Sequence, residues 1–429
     1  MKLEKISFNF LQSFLGDEFY KGNHALYASL LHQALKPSSI GELFMEYPDK
    51  SIQLYGSHSF PLKARMKINS SEFFKKCLWF GDIGFGESYV AGDWESETLT
   101  QTLAWFILNK AQCPTLAGGS QKHPHFNLLH TLNRLGHRLK PNTFHGSRQN
   151  ISVHYDLNVD FFKLFLDKTL TYSSACFEGN VSHLDEAQLI KYERLAEYLK
   201  LNSADHLLEI GCGWGGFSLF AAKKYGCKIT AITVSKAQYD YFKRRIREEK
   251  LNRLINLQLE DYRKIQGDFD KIVSIEMIEA VGEKYLEAYF RKCHQLLKPH
   301  GLLALQMILY PDDRFNEYKQ NADWIQKHIF PGSLLPSLHR IQQALRKTGD
   351  LQLFEMKDIG ISYAKTLKNW SKRFHENLSE IYKLGFDENF IKKWTYYFSI
   401  CEAAFQTRHI TAVQAVYSRS NNQILMEIN

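Results

Sequence analysis

Three glycines at alternate positions, Gly211, Gly213 and Gly215, follow an apolar run that contains one acid, Glu209. A helical pattern begins directly afterwards, so the stretch predicts a strand, a tight turn and a helix. Glycine accepts a positive φ and lets a ligand lie against bare backbone, while the helix N-terminus offers N–H groups to a carboxylate or phosphate. These residues therefore indicate binding of a small cofactor. A purely structural turn and a nucleotide-binding fold of another kind remain alternatives at this point.

The elements that must position this turn alternate between strands and helices from residue 146 onward. The sequence predicts helices over 235–250 and 284–297. Besides the strand before the turn, the predicted strands are 228–233, 255–259, 271–275, 301–310 and 411–417. Strands separated by helices form an α/β, doubly wound and mostly parallel sheet, with the ligand crevice at the carboxyl ends of the strands. The glycine turn follows such an end, and so do Glu260 and Asp261.

Residues 1–125 have a different pattern and predict a smaller α+β domain. Alternating polar and apolar residues predict half-buried strands over 52–55 and 64–68. Residues 81–87 are rich in glycine, and we interpret them as a structural turn because no Lys-Ser or Lys-Thr pair follows. Prolines and glycines over 111–124 predict a linker between the two domains.

Length and composition favour two domains and no membrane-spanning helix. The chain has 429 residues, and domains usually hold about 100 to 200 residues. No apolar run approaches the roughly 18 residues that span a bilayer, and the N-terminus shows no signal region. The seven cysteines form no CxxC pair, which favours a reducing cytoplasm, and no histidine spacing indicates a metal site. The formal charge of +8 permits an anionic partner, lipid or nucleic acid, without choosing between them.

Residues 126–140 combine leucines at helical spacing with basic side chains, and they predict a basic amphipathic helix. Such a helix can lie on an anionic membrane surface. The alternative is a helix that packs on its own protein and exposes its basic face to solvent.

Several motifs carry a resemblance to known enzymes. The glycine spacing, with Glu209 before it, resembles motif I of the S-adenosylmethionine-dependent methyltransferases, which have a seven-stranded sheet. Further stretches resemble the cyclopropane-fatty-acyl-phospholipid synthase and mycolic acid cyclopropane synthase family, namely 154–162, 172–178, 275–282 and 329–337. The likeness runs from about residue 126 to the end, and residues 81–94 resemble the N-terminal extension of some members. It implies an accessory domain over 1–125 with lipid or dimer contacts, a connecting helix over 126–145 and a methyltransferase domain over 146–429.

The resemblance implies transfer of a methyl group from S-adenosylmethionine to the cis double bond of an unsaturated phospholipid acyl chain. A base then removes a proton from the new methyl group and a cyclopropane ring closes; in the family this base is a bound bicarbonate. A methyl- or methylene-branched product is an alternative, because related branches of the family make such chains. The sequence also leaves open a small-amine N-methyltransferase and a catalytically weak protein that binds lipid and S-adenosylmethionine.

The resemblance also implies catalytic positions. Glu279 matches the glutamate that orients bicarbonate, and Ile308 matches a backbone contact. Gln306, Ser371 and Ser174 stand where well-known bacterial members have histidine, tyrosine and cysteine. Glutamine and serine still donate hydrogen bonds, but neither relays a proton as a charged group near neutral pH. Cys401 matches a cysteine proposed as a nucleophile, although its apolar neighbours favour a packed core residue.

For the cofactor, the resemblance implies residues on four segments. They are Tyr172, Ser173, Leu208, Glu209, Ile210, Gly211, Cys212, Gly213, Trp214, Gly215, Gly216, Thr233, Ser235, Gln238, Leu259, Glu260 and Asp261. Gln238 replaces the acid that generic methyltransferases carry after the second strand. Ordinary loop positions for Tyr172 and Ser173, and a helix cap at Glu260 and Asp261, remain alternatives.

An aromatic-rich insertion over 311–345 predicts a lid over an acyl channel, with a plain hydrophobic core as the alternative. The expected partners are unsaturated phospholipid acyl chains and an anionic membrane surface, with homodimer formation left open. Nucleic acid is not expected, because this insertion offers few basic residues for phosphate contacts. The expected location is the cytoplasm, peripheral to the inner membrane surface.

Overall fold

The computed structural model describes residues 24–113 and 158–426. The chain divides into two compact units, Met1–Leu132 and Asn133–Asn429. The basic segment 126–140 and the motif at 154–157 lie outside the described residues, so the connecting helix stays a prediction. Within the described ranges, no helix is both long enough and apolar enough to cross a bilayer.

The first unit contains a small sheet whose strand order is β2-β1-β3-β4. Its strands are Gly41–Glu46 (β1), Ile52–Ser57 (β2), Lys63–Ile68 (β3) and Trp94–Glu95 (β4), and its helices are His24–Leu35 (α1), Glu72–Ala91 (α2) and Leu99–Asn109 (α3). Strand β1 pairs antiparallel with β2 and parallel with β3. The α+β class and the two predicted strands of this unit are confirmed.

The glycine-rich stretch 81–87 forms part of helix α2, so the prediction of a turn is wrong. Gly81 kinks the helix with φ 56° and ψ −131°, a conformation that few other residues adopt. At Gly84, an added Cβ would lie 2.0 Å from the carbonyl oxygen of Lys76. Gly81 therefore allows the kink, and Gly84 allows the close contact with the Lys76 backbone.

The second unit contains a seven-stranded sheet of order β10-β11-β9-β8-β5-β6-β7. The strands are His206–Ile210 (β5), Lys228–Thr233 (β6), Ile255–Leu259 (β7), Phe269–Ile275 (β8), Leu297–Leu309 (β9), Leu351–Asp358 (β10) and Thr411–Arg419 (β11). Strand β11 pairs antiparallel with both of its neighbours, and the other pairings are parallel. The predicted mostly parallel α/β fold is confirmed. The sequence missed β10, whose outer residues Phe354 and Met356 are exposed at the sheet edge.

Helices cover both faces of this sheet, as a doubly wound fold requires. One apolar cluster joins the sheet to α5, α6 and α7, and another joins it to α8 and α11. The helices are Val159–Lys163 (α4), Leu184–Tyr198 (α5), Gly216–Tyr225 (α6), Lys236–Glu248 (α7), Leu286–Leu296 (α8), Asp312–Tyr318 (α9), Trp324–His328 (α10), Leu338–Thr348 (α11), Gly360–Glu376 (α12), Leu378–Lys383 (α13) and Glu388–Gln406 (α14).

The predicted lid insertion, 311–345, has two parts with different packing. Residues up to 337 form α9, α10 and a loop after strand β9. Residues 338–345 instead begin helix α11, which buries Ile341 and Leu345 in the core beside α8. The lid stays a prediction for 311–337, while 338–345 belong to a helix that packs on the core.

Candidate active site

The glycine turn follows strand β5 and leaves one side of its backbone open. Gly213 has φ 52°, and a Cβ added there would meet no described atom within 4 Å. Gly215 has φ 94°, and its Cβ would lie 2.2 Å from the ring of Phe242. Gly215 is thus required by packing, while Gly213 faces free space in which a ligand can contact the backbone.

Neighbours of the turn fix its position. Glu209 is buried and accepts a hydrogen bond from Ser218 at the start of α6, so its carboxylate supports the turn from inside the fold. Burial raises the pKa of Glu209 to about 7. Gly216 also has no room for a side chain, because a Cβ there would lie 2.2 Å from the hydroxyl of Tyr192. Of the other predicted positions in this stretch, the structure buries Leu208, Ile210, Cys212 and Trp214.

Hydrogen bonds among three buried residues stabilise the turn after β6. The Thr233 hydroxyl donates to Gln238 Oε1 at 2.8 Å, and it accepts from the backbone N–H of Ser235 at 3.1 Å. Ser235 in turn caps helix α7. The structure therefore brings Thr233, Ser235 and Gln238 together, next to the glycine turn: the backbone N–H groups of Gly211 and Cys212 both donate to the carbonyl of Ile232 on β6.

Strand β7 ends at Leu259, and the two acids after it differ in role. The Glu260 backbone N–H donates to the Thr233 carbonyl at 3.0 Å, which keeps this end beside the previous turn. Asp261 caps the short turn Tyr262–Lys264 and pairs with Arg263. Burial acts to raise the pKa of Asp261, but the hydrogen bonds from Arg263 outweigh it and lower the pKa. Asp261 therefore matches the cap alternative, as a buried cap.

Tyr172 is the centre of an aromatic cluster that we name the aromatic wall, in which Tyr172 and Phe330 are partly exposed and the other members are buried. Its hydroxyl donates to the Tyr397 hydroxyl at 3.0 Å, and its ring lies 5.2 Å from that of Trp370 and 6.3 Å from that of Phe330. The aromatic wall consists of Phe162, Phe165, Tyr172, Phe330, Trp370 and Tyr397. Phe330 belongs to the predicted lid, so the insertion reaches this surface.

A carboxylate cluster lies where strand β8 ends, and Glu276, which sequence reasoning missed, is its centre. Glu276 Oε1 accepts from the backbone N–H of Ser174 and from Gln306 Nε2, both at 2.8 Å. Its Oε2 accepts from the Tyr363 hydroxyl at 2.7 Å. The residue is half-buried at the end of an otherwise buried strand, and its φ is 49°. A positive φ is uncommon outside glycine and is found at functional sites.

Glu279 lies one short turn further and is the second carboxylate of the cluster. Its Oε1 accepts from the backbone N–H of Ile308 at 2.6 Å, whereas its buried Oε2 has no hydrogen-bond partner among the described residues. Burial, followed by the negative charge of Glu276, raises the pKa of Glu279 to about 8. Its backbone carbonyl accepts from Leu334 at 2.8 Å, so the lid loop is attached directly at the cluster.

Two further residues that the sequence did not suggest support the cluster. Lys191 on α5 is fully buried, and its Nζ donates to Ser173 Oγ at 2.9 Å. Burial lowers the pKa of Lys191 to about 8, while nearby Glu276 acts in the opposite direction. Gln414 on β11 donates to Gln306 Oε1 at 2.9 Å, which turns the Gln306 amide nitrogen towards Glu276.

Two predicted catalytic residues, Ser371 and Ser174, are placed differently from the expectation, whereas Cys401 has the buried environment that its apolar neighbours indicated. Ser371 does not join the cluster in the described structure: its hydroxyl lies 3.5 Å from His375 Nδ1, while Tyr363 of the same helix reaches Glu276. The Ser174 hydroxyl donates to the Ala175 carbonyl, so only its backbone contributes. Cys401 lies on α14, where burial raises the pKa of its thiol, an environment that disfavours a nucleophilic thiolate.

The chain is similar to known proteins over most of its length. Residues 143–415 match the mycolic acid cyclopropane synthetase family. A tuberculostearic acid methyltransferase of Mycobacterium tuberculosis is 35% identical over 345 residues, covering 78% of each chain. The cyclopropane-fatty-acyl-phospholipid synthase of Escherichia coli is 33% identical over 363 residues, covering 83% of this chain and 88% of the relative. A solved mycolic acid cyclopropane synthase in complex with SAH and CTAB has a TM-score of 0.59 and 30% identity, covering 63% of this chain and 98% of that one.

Proposed function

The chain belongs to the mycolic acid cyclopropane synthetase family of S-adenosylmethionine-dependent methyltransferases, and from this premise we propose that it methylates the cis double bond of an unsaturated phospholipid acyl chain. The product of the proposed reaction is a cyclopropane fatty acid. The reaction needs a cofactor site, an apolar channel and a negative charge within one crevice.

The observation that carries the proposal is the contact between the glycine turn and the carboxylate cluster. Met277 stands between the two cluster carboxylates in the sequence, and its Cγ lies 2.7 Å from where a Cβ of Gly211 would be. Strands β5 and β8 are neighbours in the sheet, so their carboxyl ends open into the same crevice. A cofactor in the glycine turn would therefore lie next to Glu276 and Glu279.

The described residues fit S-adenosylmethionine, because Gly213 leaves space beside its backbone and the neighbouring turns present polar groups. The glycine turn would hold the amino-acid portion, and the turns after β6 and β7 would bind the nucleoside. When bound, this cofactor supplies an electrophilic methyl group on a sulfonium. An alkene is a weak nucleophile, so the protein must hold it in line with that methyl group and exclude water. The aromatic wall provides the dry surface for this alignment.

Attack by the alkene leaves a positive charge on the acyl chain, and the cluster supplies charge of the opposite sign. The carboxylate of Glu276 and the partly exposed ring of Tyr172 favour a cation in a site from which water is excluded. The lid loop, through Phe330 and Leu334, would enclose the acyl chain. We propose that the basic segment 126–140 brings the protein to an anionic membrane surface, where the phospholipid substrate lies.

The test is expression in a bacterial host that makes unsaturated phospholipids but no cyclopropane chains, followed by gas chromatography and mass spectrometry. We expect chains with one extra methylene that elute with cyclopropane standards. A parallel assay compares the same acyl chain on phospholipid vesicles and on coenzyme A. An unchanged lipid profile, despite cofactor binding by the purified protein, would contradict the proposal.

A methyl-branched fatty acid is the second candidate product. It is favoured by the 35% identity to a relative that is named a tuberculostearic acid methyltransferase. Mass alone does not separate a ring from a methylene branch, so the chromatographic standards decide between them.

A further inference from the structure

At the positions that the resemblance assigns to a bound bicarbonate, three hydrogen-bond donors are already engaged with the chain's own carboxylates, and Ser371 does not reach the cluster. The Gln306 amide and the Ser174 backbone N–H donate to Glu276, and the Ile308 backbone N–H donates to Glu279. A bicarbonate at this place would find these donors taken and would lie against two glutamates. The described residues therefore do not fit bicarbonate.

We propose that the Glu276 carboxylate takes the place of bicarbonate as the base that closes the cyclopropane ring. This inference rests on the proposed function and adds a catalytic residue to it. Because the base is part of the chain, ring closure should not depend on dissolved bicarbonate.

The hydrogen bonds orient one lone pair of Glu276 for this task. Oε1 accepts two of them, from Ser174 and Gln306, whereas Oε2 accepts one, from Tyr363. An ionised carboxylate oxygen has about two lone-pair sites, so Oε2 keeps one that is free to accept a proton. Burial raises the pKa of Glu276 above its ordinary value, although the hydrogen bonds from Tyr363, Gln306 and Ser174 act in the opposite direction. A raised pKa makes the carboxylate a stronger base.

Atoms and electrons balance in the proposed step. The π electrons of the alkene form a bond to the methyl carbon, the carbon–sulfur electrons stay on sulfur, and the acyl chain becomes a carbocation. Glu276 Oε2 then takes one proton from the new methyl group, and the released C–H electron pair forms the third bond of the ring. The proton leaves Glu276 for solvent once the product has left the crevice.

The backbone at position 276 would accept glycine. Glu276 has φ 49°, a conformation in which glycine would be unstrained, and three hydrogen bonds hold the glutamate side chain in the cluster despite the strain. The substitution Glu276→Gly is therefore compatible with the backbone. It would remove the carboxylate and release all three donors for an external anion.

The experiment uses the full-length protein with unsaturated phospholipid vesicles and S-adenosylmethionine in carbonate-free buffer, with and without added bicarbonate. Release of S-adenosylhomocysteine reports methyl transfer, and chromatography of the lipids reports ring closure. We expect the wild type to form cyclopropane chains at the same rate in both buffers. Glu276→Gly should lose on the order of 100-fold in ring closure, as for loss of a general base, and added bicarbonate should restore much of it.

Glu276→Gln separates charge from shape. Its amide fills the same space without a basic oxygen of comparable strength, so ring closure should fall, methyl-branched alkenes should accumulate and bicarbonate should not rescue. As a control, Lys250→Gly relieves a positive φ of 58° at an exposed site after α7 and should leave both readouts unchanged. Calorimetric titration with S-adenosylmethionine verifies that each variant is folded.

A several-fold rise in wild-type ring closure on adding bicarbonate would overturn the proposal, and so would undiminished cyclopropane formation by Glu276→Gln. If the wild type releases no S-adenosylhomocysteine with any lipid, the proposed function itself fails and this inference falls with it. The two failures are thus distinguished by the methyl-transfer readout.

Discussion

The glycine turn and the carboxylate cluster lie at the ends of neighbouring strands, yet the structure builds them differently. The turn comes from one short stretch, and its functional feature is empty space beside Gly213. The cluster comes from six segments of the second unit, and its functional feature is a set of occupied hydrogen bonds around Glu276. An added side chain should therefore disturb the turn, whereas loss of a charge or of a hydrogen-bond donor should disturb the cluster.

Gly213→Ala should have the largest effect, on cofactor binding. The added Cβ meets no described atom, so the free energy of unfolding should fall only by the cost of a left-handed alanine, about 1 to 2 kcal/mol. The cofactor, however, would be displaced from the backbone and should bind on the order of 100-fold more weakly. The control is Gly215→Ala, whose Cβ would contact the Phe242 ring and should mainly lower the melting temperature. Calorimetric titration and thermal unfolding of both variants give the comparison, and wild-type affinity in Gly213→Ala would contradict a cradle at this glycine.

Glu279→Gln tests whether the Glu279 carboxyl group of the cluster holds a proton near neutral pH in the folded protein. Burial raises the pKa of Glu279 from 4.5 to about 8, so the folded state binds the proton more tightly than the unfolded state does. The wild type therefore loses stability as the pH rises through this window. Glu209 contributes with the same sign up to about pH 7, and Lys191, whose pKa burial lowers to about 8, contributes with the opposite sign above that value. The difference between Glu279→Gln and the wild type at each pH therefore isolates Glu279.

At about pH 9 we expect Glu279→Gln to exceed the wild type by about 2 to 4 kcal/mol in free energy of unfolding, with little difference at about pH 5. Urea denaturation across this pH range measures it. Parallel stability curves for the two proteins would show that Glu279 is not the proton-holding member of the pair.

Tyr363→Phe and Ser371→Ala form a matched pair on helix α12. Removing the Tyr363 hydroxyl deletes one donor to Glu276 and should lower ring closure by about 10-fold, roughly what one hydrogen bond to a charged group contributes. Ser371→Ala changes only a contact with His375 and should leave activity and stability nearly unchanged. The vesicle assay decides, and a larger loss in Ser371→Ala than in Tyr363→Phe would restore the sequence-based assignment.

The same contrast explains how much the sequence could predict. Strands β6 and β7 were predicted with their observed bounds, and the glycine turn was recognised, because each depends on a local pattern. The fold class followed from the alternation of such patterns. The exposed edge strand β10 has a weak apolar pattern, and the glycines of α2 indicated a turn although they form a kink inside a helix.

The cluster could not be predicted to the same degree, because its members meet only in the folded chain. Lys191 and Tyr363 lie on helices where nothing local distinguishes them from other buried side chains. The sequence did mark Glu276 as an acid at the carboxyl end of an apolar strand. The catalytic role was assigned to Glu279 instead, because that residue matched the family. The position of Ser371 was transferred from the resemblance to the family, whereas Tyr363, two turns earlier on α12, is the residue that reaches the site.

The most direct test of ring closure by Glu276 measures how many hydrogens of the transferred methyl group remain in the product. The wild-type protein would be supplied with S-adenosylmethionine carrying a fully deuterated methyl group and with unsaturated phospholipid vesicles, in carbonate-free buffer. We expect cyclopropane chains that retain two of the three deuterium atoms, because Glu276 removes the third. Chains that retain all three in a methyl branch, or cyclopropane chains that form only after bicarbonate is added, would contradict it.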